Sequence, residues 1–107
     1  MTSLLVLTNC PDRATAQQIA QVLVERRLAA CVNILAGCRS IYRWQGQIES
    51  AEEIPLLIKT TSHCYPALEE TIQSLHPYTV PEIIALPIEG GLAAYLGWLA
   101  DETGKDA

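Results

Sequence analysis

The chain has 107 residues, half of them hydrophobic, and a net charge of −5 from twelve acidic against seven basic side chains. That length supports one domain over residues 1–107, and the acidic balance repels a phosphate backbone, which excludes nucleic acid as a partner. No apolar run approaches the roughly 18 residues of a membrane span, and residues 1–7 lack the basic start of a signal peptide, so the chain reads as cytoplasmic with no membrane partner.

Residues 3–9 form a short apolar run that predicts a strand, stopped by Asn9-Cys10-Pro11-Asp12. Pro11 suits a first helical position and Asp12 a helix N-terminus. Ala16, Ile19, Ala20, Leu23 and Leu28 then keep helical spacing, predicting an amphipathic helix of about four turns that ends near Arg27. Residues 30–44, rich in Val, Ile, Tyr and Trp, read as extended, with a bulge or bend at Ala36-Gly37. Gln45-Gly46-Gln47 is a hairpin turn, and residues 48–61 run back as a second long strand. Pro55 within it removes a donor and should lie at an edge or a bulge.

Ser62-His63-Cys64 opens a second helix, with Pro66 in its first turn and Leu68, Ile72 and Leu75 on one face. A last core strand is expected at 83–88. Glu89-Gly90-Gly91 breaks it before a short helix at 92–101, striped by Leu92, Tyr95, Leu96 and Leu99. The tail from Thr103 to Ala107 reads as frayed. The order β-α-β-β-α-β plus a terminal helix is the split βαβ arrangement, an α+β ferredoxin-like sandwich with two helices on one face of an antiparallel sheet. Its central hairpin of ~14 residues, at about 3.3 Å each, is too long for a compact subunit. Overhanging edges invite strand pairing between subunits, and the apolar surplus needs an interface, so a homo-oligomer is expected.

The segment His76-Pro77-Tyr78-Thr79-Val80-Pro81-Glu82-Ile83 carries the densest chemistry. Two prolines four apart stiffen a connection that presents an imidazole, a phenol and a carboxylate. His76 can be a metal ligand through its neutral ring, or a helix-terminal residue meeting the last carbonyls. The cysteines Cys10, Cys31, Cys38 and Cys64 show no C-x-x-C spacing and read as small buried hydrophobes rather than a disulfide framework. Cys31 and Cys38, seven apart, fall on opposite faces unless a bulge intervenes. Tyr42 and Trp44, two apart on a strand, project from one face.

Read together, Ala30-Cys31-Val32-Asn33, the stretch from Ser40 to Ile48, Leu57-Ile58-Lys59-Thr60-Thr61, the 76–83 segment and the Tyr95/Trp98 pair resemble the CutA divalent-cation-tolerance family. The resemblance implies a ferredoxin-like subunit assembled as a homotrimer by intersubunit strand pairing, an architecture shared with PII signalling proteins. It also implies a response to divalent metal ions, copper foremost. Some family members carry a cysteine at the position of Thr8 and a His-His pair at Leu75-His76. Of those three ligands only His76 stands here, with Cys10 two residues beyond.

The expected metal ligands are therefore His76, Cys10 and Glu82, holding copper or another divalent ion reversibly. The alternative is a PII-like sensor whose intersubunit clefts, lined by Tyr42, Trp44, Lys59 and Tyr78, take an anionic ligand. A third reading is a purely structural trimer. Tyr42, Trp44 and Ile48 are the expected interface residues. No G-x-S-x-G elbow, P-loop or G-x-G-x-x-G fingerprint is present, and the chain is not expected to be an enzyme.

Overall fold

In the computed structural model, which describes residues 2–104, the first apolar run forms β1 (Ser3–Cys10). Its alternate residues Val6, Thr8 and Cys10 are buried beneath the helices. Helix α1 (Arg13–Glu25) follows, and its start lies two positions beyond the one the sequence suggests for Pro11. Asp12 is the N-cap and Pro11 lies outside, because the Asp12 carboxylate accepts a 2.7 Å hydrogen bond from the Thr15 N–H. A capping carboxylate satisfies an otherwise orphaned helix donor. The helix stops two residues before Arg27, whose φ of 57° turns the chain into the left-handed region.

The Asp12 carboxyl is held below its ordinary range, chiefly by that backbone hydrogen bond. Its folded-state pKa is depressed, so its stabilisation is complete above the unfolded value of about 4 and is lost as pH falls through the folded value. Asp12→Asn should keep the cap and flatten the acid limb of a melting-temperature profile. Asp12→Ala should lower the melting temperature at neutral pH as well. Identical acid limbs in wild type and Asp12→Asn would refute the assignment.

The extended region divides into β2 (Cys31–Ile34) and β3 (Cys38–Trp44), separated by Leu35-Ala36-Gly37. Both pair with the 15-residue strand β4 (Gln47–Thr61). Trp44 faces Gln47 across a two-residue turn, and Gln45 and Gly46 both have positive φ, 49° and 80°. Two left-handed residues match the twist of a tight hairpin, and glycine reaches that conformation without strain.

Pro55 is not at a sheet edge: it pairs with Asn9 on β1. Its carbonyl accepts from the Leu35 N–H, so its missing donor faces the β2–β3 break, where no regular ladder continues. The same break resets the side-chain alternation. Cys31 opposes Lys59 and Cys38 opposes Glu53, an even spacing on β4 that puts both cysteines on one face, ~20 Å apart along the strand.

Helix α2 (Tyr65–Leu75) begins at the buried Cys64 and seats Leu68 and Ile72 against α1 and the sheet. Strand β5 (Ile83–Pro87) then pairs with β1 alone. It is an edge strand rather than a core strand, and only Ile83 packs on the core while Ile84 and Leu86 stay exposed. The sheet order is β2-β4-β1-β5, with β3 on the overhanging part of β4 and every pairing antiparallel. This is the α+β ferredoxin-like arrangement, with α1 and α2 covering one face. Residues 47–53 of β4 reach past β1 and pair only with β3, which gives the molecule its 44 Å long axis.

Helix α3 (Ala93–Asp101) packs on β1 and β4, with Leu99 fully buried. Tyr95 stands beside Cys31, which alternates with the core-facing Val32, so this helix lies across the face opposite α1 and α2. Of the expected stripe, Leu99 is buried and Leu96 half-buried, whereas Leu92 and Tyr95 stay exposed in the protomer, as does the flanking Trp98. Thr103 and Gly104 are not frayed. The Thr103 hydroxyl donates to the Leu99 carbonyl and the Gly104 N–H donates to the Arg27 carbonyl. Residues 105–107 of the expected tail lie outside the described residues.

Candidate functional site

The connection from α2 to β5 is fixed by His76. The ring is only 6 % exposed, and its Nε2 lies 2.7 Å from the Asn9 carbonyl. Its Nδ1 accepts from the Tyr78 N–H at 3.2 Å. A carbonyl only accepts and an amide N–H only donates, so the ring is the tautomer with its proton on Nε2. The rings of His76 and Tyr78 lean on each other, centroids 4.6 Å apart. One side chain thereby ties the helix end to the last residues of β1.

Asn9 is the hub that the sequence did not disclose, because its partners lie 67 and 73 residues away along the chain. Its side-chain amide donates to Glu82 Oε1 at 3.2 Å. Cys10 is the next residue but points into the core, and burial, aided by Asp12 and Glu53, pushes its thiol up to about 11. It is therefore a neutral thiol near neutral pH, a poor metal ligand. Thr8, also beneath the helices, has a buried hydroxyl with no hydrogen-bond partner among the described residues.

The expected trio His76, Cys10 and Glu82 thus surrounds Asn9 without forming a coordination set. Both nitrogens of the imidazole are engaged, the thiol is protonated and inward, and Glu82 alone is exposed. Among the described residues no three His, Cys, Asp or Glu side chains are grouped to hold a metal ion.

His76→Ala should consequently destabilise the fold by about 1–3 kcal/mol, because two buried backbone groups lose their partner. Urea unfolding measures this. An unchanged midpoint would mean that the ring does not brace the connection.

Beside this hub a groove of about 750 Å³ opens between the β3–β4 hairpin and residues 77–82. Tyr42, Trp44 and Tyr78 supply its rings, and Glu49, Glu53 and Glu82 its carboxylates. The hairpin register explains the arrangement. Tyr42 opposes Glu49 and Trp44 opposes Gln47, so rings and acids of alternate residues share one face. The Tyr78 hydroxyl donates to Glu53 Oε2 at 3.0 Å, and burial together with that carboxylate raises its pKa to about 12.

Three of the four expected ligand residues therefore meet, and Lys59 does not join them. It lies on the same face of β4 as Glu53 but ~20 Å further along, where its ammonium meets the Asn33 side-chain oxygen and the Cys31 sulfur. The expected interface residues also divide between two faces. Tyr42 and Trp44 line the groove, whereas Ile48 lies on the reverse face of the hairpin. Glu49 was legible in principle, since a two-residue turn at Gln45-Gly46 sets it opposite Tyr42, and Glu53 follows it on the same face of the strand.

An antiparallel ferredoxin-like subunit with an overhanging hairpin and a carboxylate-lined groove is the class of protein that these features define. Residues 4–102 match the family described as "CutA1 divalent ion tolerance protein". The chain is 56% identical over 99 residues to "Divalent-cation tolerance protein CutA" of Thermus thermophilus, covering 92% of this chain and 96% of that protein. It is 48% identical over 95 residues to "Protein CutA" of Homo sapiens, covering 89% of this chain and 53% of that protein, so it spans about half of the human relative. A solved structure of the divalent cation tolerance protein from Thermus thermophilus superposes with a TM-score of 0.94 at 54% identity, covering 95% of this chain and 99% of that one. The chain belongs to the CutA1 divalent ion tolerance family.

Proposed function

We propose that this chain acts in tolerance to divalent metal ions, copper among them, as a cytoplasmic homotrimer that binds ions reversibly without turnover. The observation that carries this reading is the groove beside Asn9, which presents three carboxylates and no Lys, Arg or His among its lining residues. Such a surface attracts cations and disfavours the anionic metabolite of the alternative reading. Names of relatives point the same way.

The donor set needed for copper is not complete in one protomer. His76 and Cys10 as they stand do not fit a soft ion, since both ring nitrogens are bonded and the thiol keeps its proton. Of the expected trio, Glu82, exposed at the edge of the groove, is the one available donor. The rest of the ligand shell falls to water or to a second protomer, which ties the metal reading to the trimer.

Support for the trimer comes from apolar surface left without cover: Ile41 is 71% exposed, Ile48 64% and Leu86 44%. The four cysteines are free thiols, which suits a reducing compartment. No helix among the described residues is long and apolar enough to cross a membrane.

Calorimetric titration of metal-stripped protein with Cu(II) and Zn(II), against a competing chelator, tests the site. Binding lost in Glu82→Gln and kept in His76→Ala supports the assignment. Loss confined to His76→Ala moves the site to the imidazole. Weak binding, unchanged in both variants, overturns the metal reading.

A further inference from the structure

The groove holds a feature that metal binding does not use. Glu53 is only 7 % exposed, yet it has no cationic partner among the described residues, and the ion pairs found there are Arg27–Glu102 and Arg39–Glu52. Its one hydrogen bond comes from the Tyr78 hydroxyl. A buried carboxylate without a counter-charge is costly, and one donated bond leaves most of its desolvation uncompensated. This carboxylate lines a groove walled by three aromatic rings, with Glu49 further along the same face and Glu82 on the opposite wall.

The shape decides which cation fits. A space of about 750 Å³ is far larger than a desolvated metal ion and lies within the range of small-molecule sites. Aromatic faces are poor metal donors but attract alkylammonium groups and cover methylene stems. The carboxylates are also spread out: Glu49 and Glu53 are four residues apart on one strand, ~13 Å. Separated acids with rings between them match ammonium groups separated by methylene chains.

We propose that this groove binds a linear polyamine, with one ammonium against Glu53, a second toward Glu49 or Glu82, and the aliphatic stems on Tyr42, Trp44 and Tyr78. The site shares its groove with the metal reading, but it rests on Glu53 and the rings, whereas the metal reading rests on Glu82 as donor. Binding neutralises the buried carboxylate and covers the exposed aromatic faces, and the ligand bridges the hairpin to the 77–82 connection.

The test is calorimetry on the intact assembled protein with spermidine, at physiological salt, with magnesium chloride as the inorganic control. The expected result is saturable binding at one site per chain, weakened about tenfold or more by either Glu53→Gln or Trp44→Ala. Each variant is first checked for an unchanged oligomer mass and melting profile. Tyr78→Phe keeps the ring and should retain binding. Should Trp44→Ala perturb the assembly, Trp44→Phe replaces it and should bind more weakly than wild type but more tightly than Glu53→Gln. Magnesium displacing spermidine at equal concentration, with no effect of the Trp44 variants, would reveal only diffuse attraction to an acidic surface and overturn the proposal. No spermidine binding to the assembled protein would also overturn it, since a neighbouring protomer would then fill the groove. Glu82→Gln separates the two readings: it should abolish metal binding while Glu53→Gln spares it.

Discussion

Ile58→Ala should lower the unfolding free energy by about 2–5 kcal/mol, the largest stability loss expected of any single truncation in this chain. Ile58 is fully buried and sits on β4 opposite Val6 on one side and Val32 on the other. Its side chain belongs to the cluster that contains Ile19, Leu23, Leu56, Leu68 and Ile72. Truncation removes the transfer energy of the lost atoms and leaves a cavity, because paired strands on both sides prevent β4 from moving in to fill it. Urea unfolding at a fixed protein concentration measures the effect, since assembly would otherwise contribute to apparent stability. Val24→Ala, on an exposed position of α1, serves as the contrast and should cost far less. Comparable losses in the two variants would mean that the α1–α2–sheet layer is not the core.

Ile48→Asp should reduce the assembled mass to that of the 11.7 kDa protomer, as read by sedimentation or light scattering. Ile48 and Ile41 are exposed apolar side chains of the overhanging hairpin, and Ile48 lies outside the groove. No described residue of the protomer covers them, and residues 47–53 of β4 pair with no strand except β3. A carboxylate placed there has only the exposed Arg43 across the hairpin as counter-charge and must still be desolvated on assembly, which disfavours the interface. Gln17→Glu, which adds the same charge on the exposed side of α1, should leave the mass unchanged. A trimeric mass for Ile48→Asp would place the interface elsewhere, with the open sheet face around Leu86 the next surface to probe.

The site was legible in pieces. Tyr42, Trp44 and Tyr78 could be singled out as aromatics near turns and prolines, and the structure brings them to one groove. Lys59 could not be separated from them, because a strand's period gives its face but not its position along a sheet. His76 read as a metal ligand or as a helix-end residue. Only the positions of the Asn9 carbonyl and the Tyr78 N–H, one of them 67 residues away, assign both its nitrogens. The neutral thiol of Cys10 was equally hidden, since proximity to a helix N-terminus lowers a thiol pKa whereas burial, which prevails here, raises it.

The sequence by itself determined the elements and their order. Apolar spacing separated α1 and α2 from the strands, Gly46 marked the hairpin, and the β-α-β-β-α-β succession leaves little choice of topology once crossover handedness applies. Those are local signals, carried by residues three or four apart or by a single turn. Tertiary structure alone decided that β5 is an edge, that α3 crosses the open face, that Pro55 opposes the β2–β3 break, and that Glu53 is buried without a cation. Each of those depends on which strands become neighbours, and hence on contacts between residues far apart in the chain, for which no local pattern encodes distance.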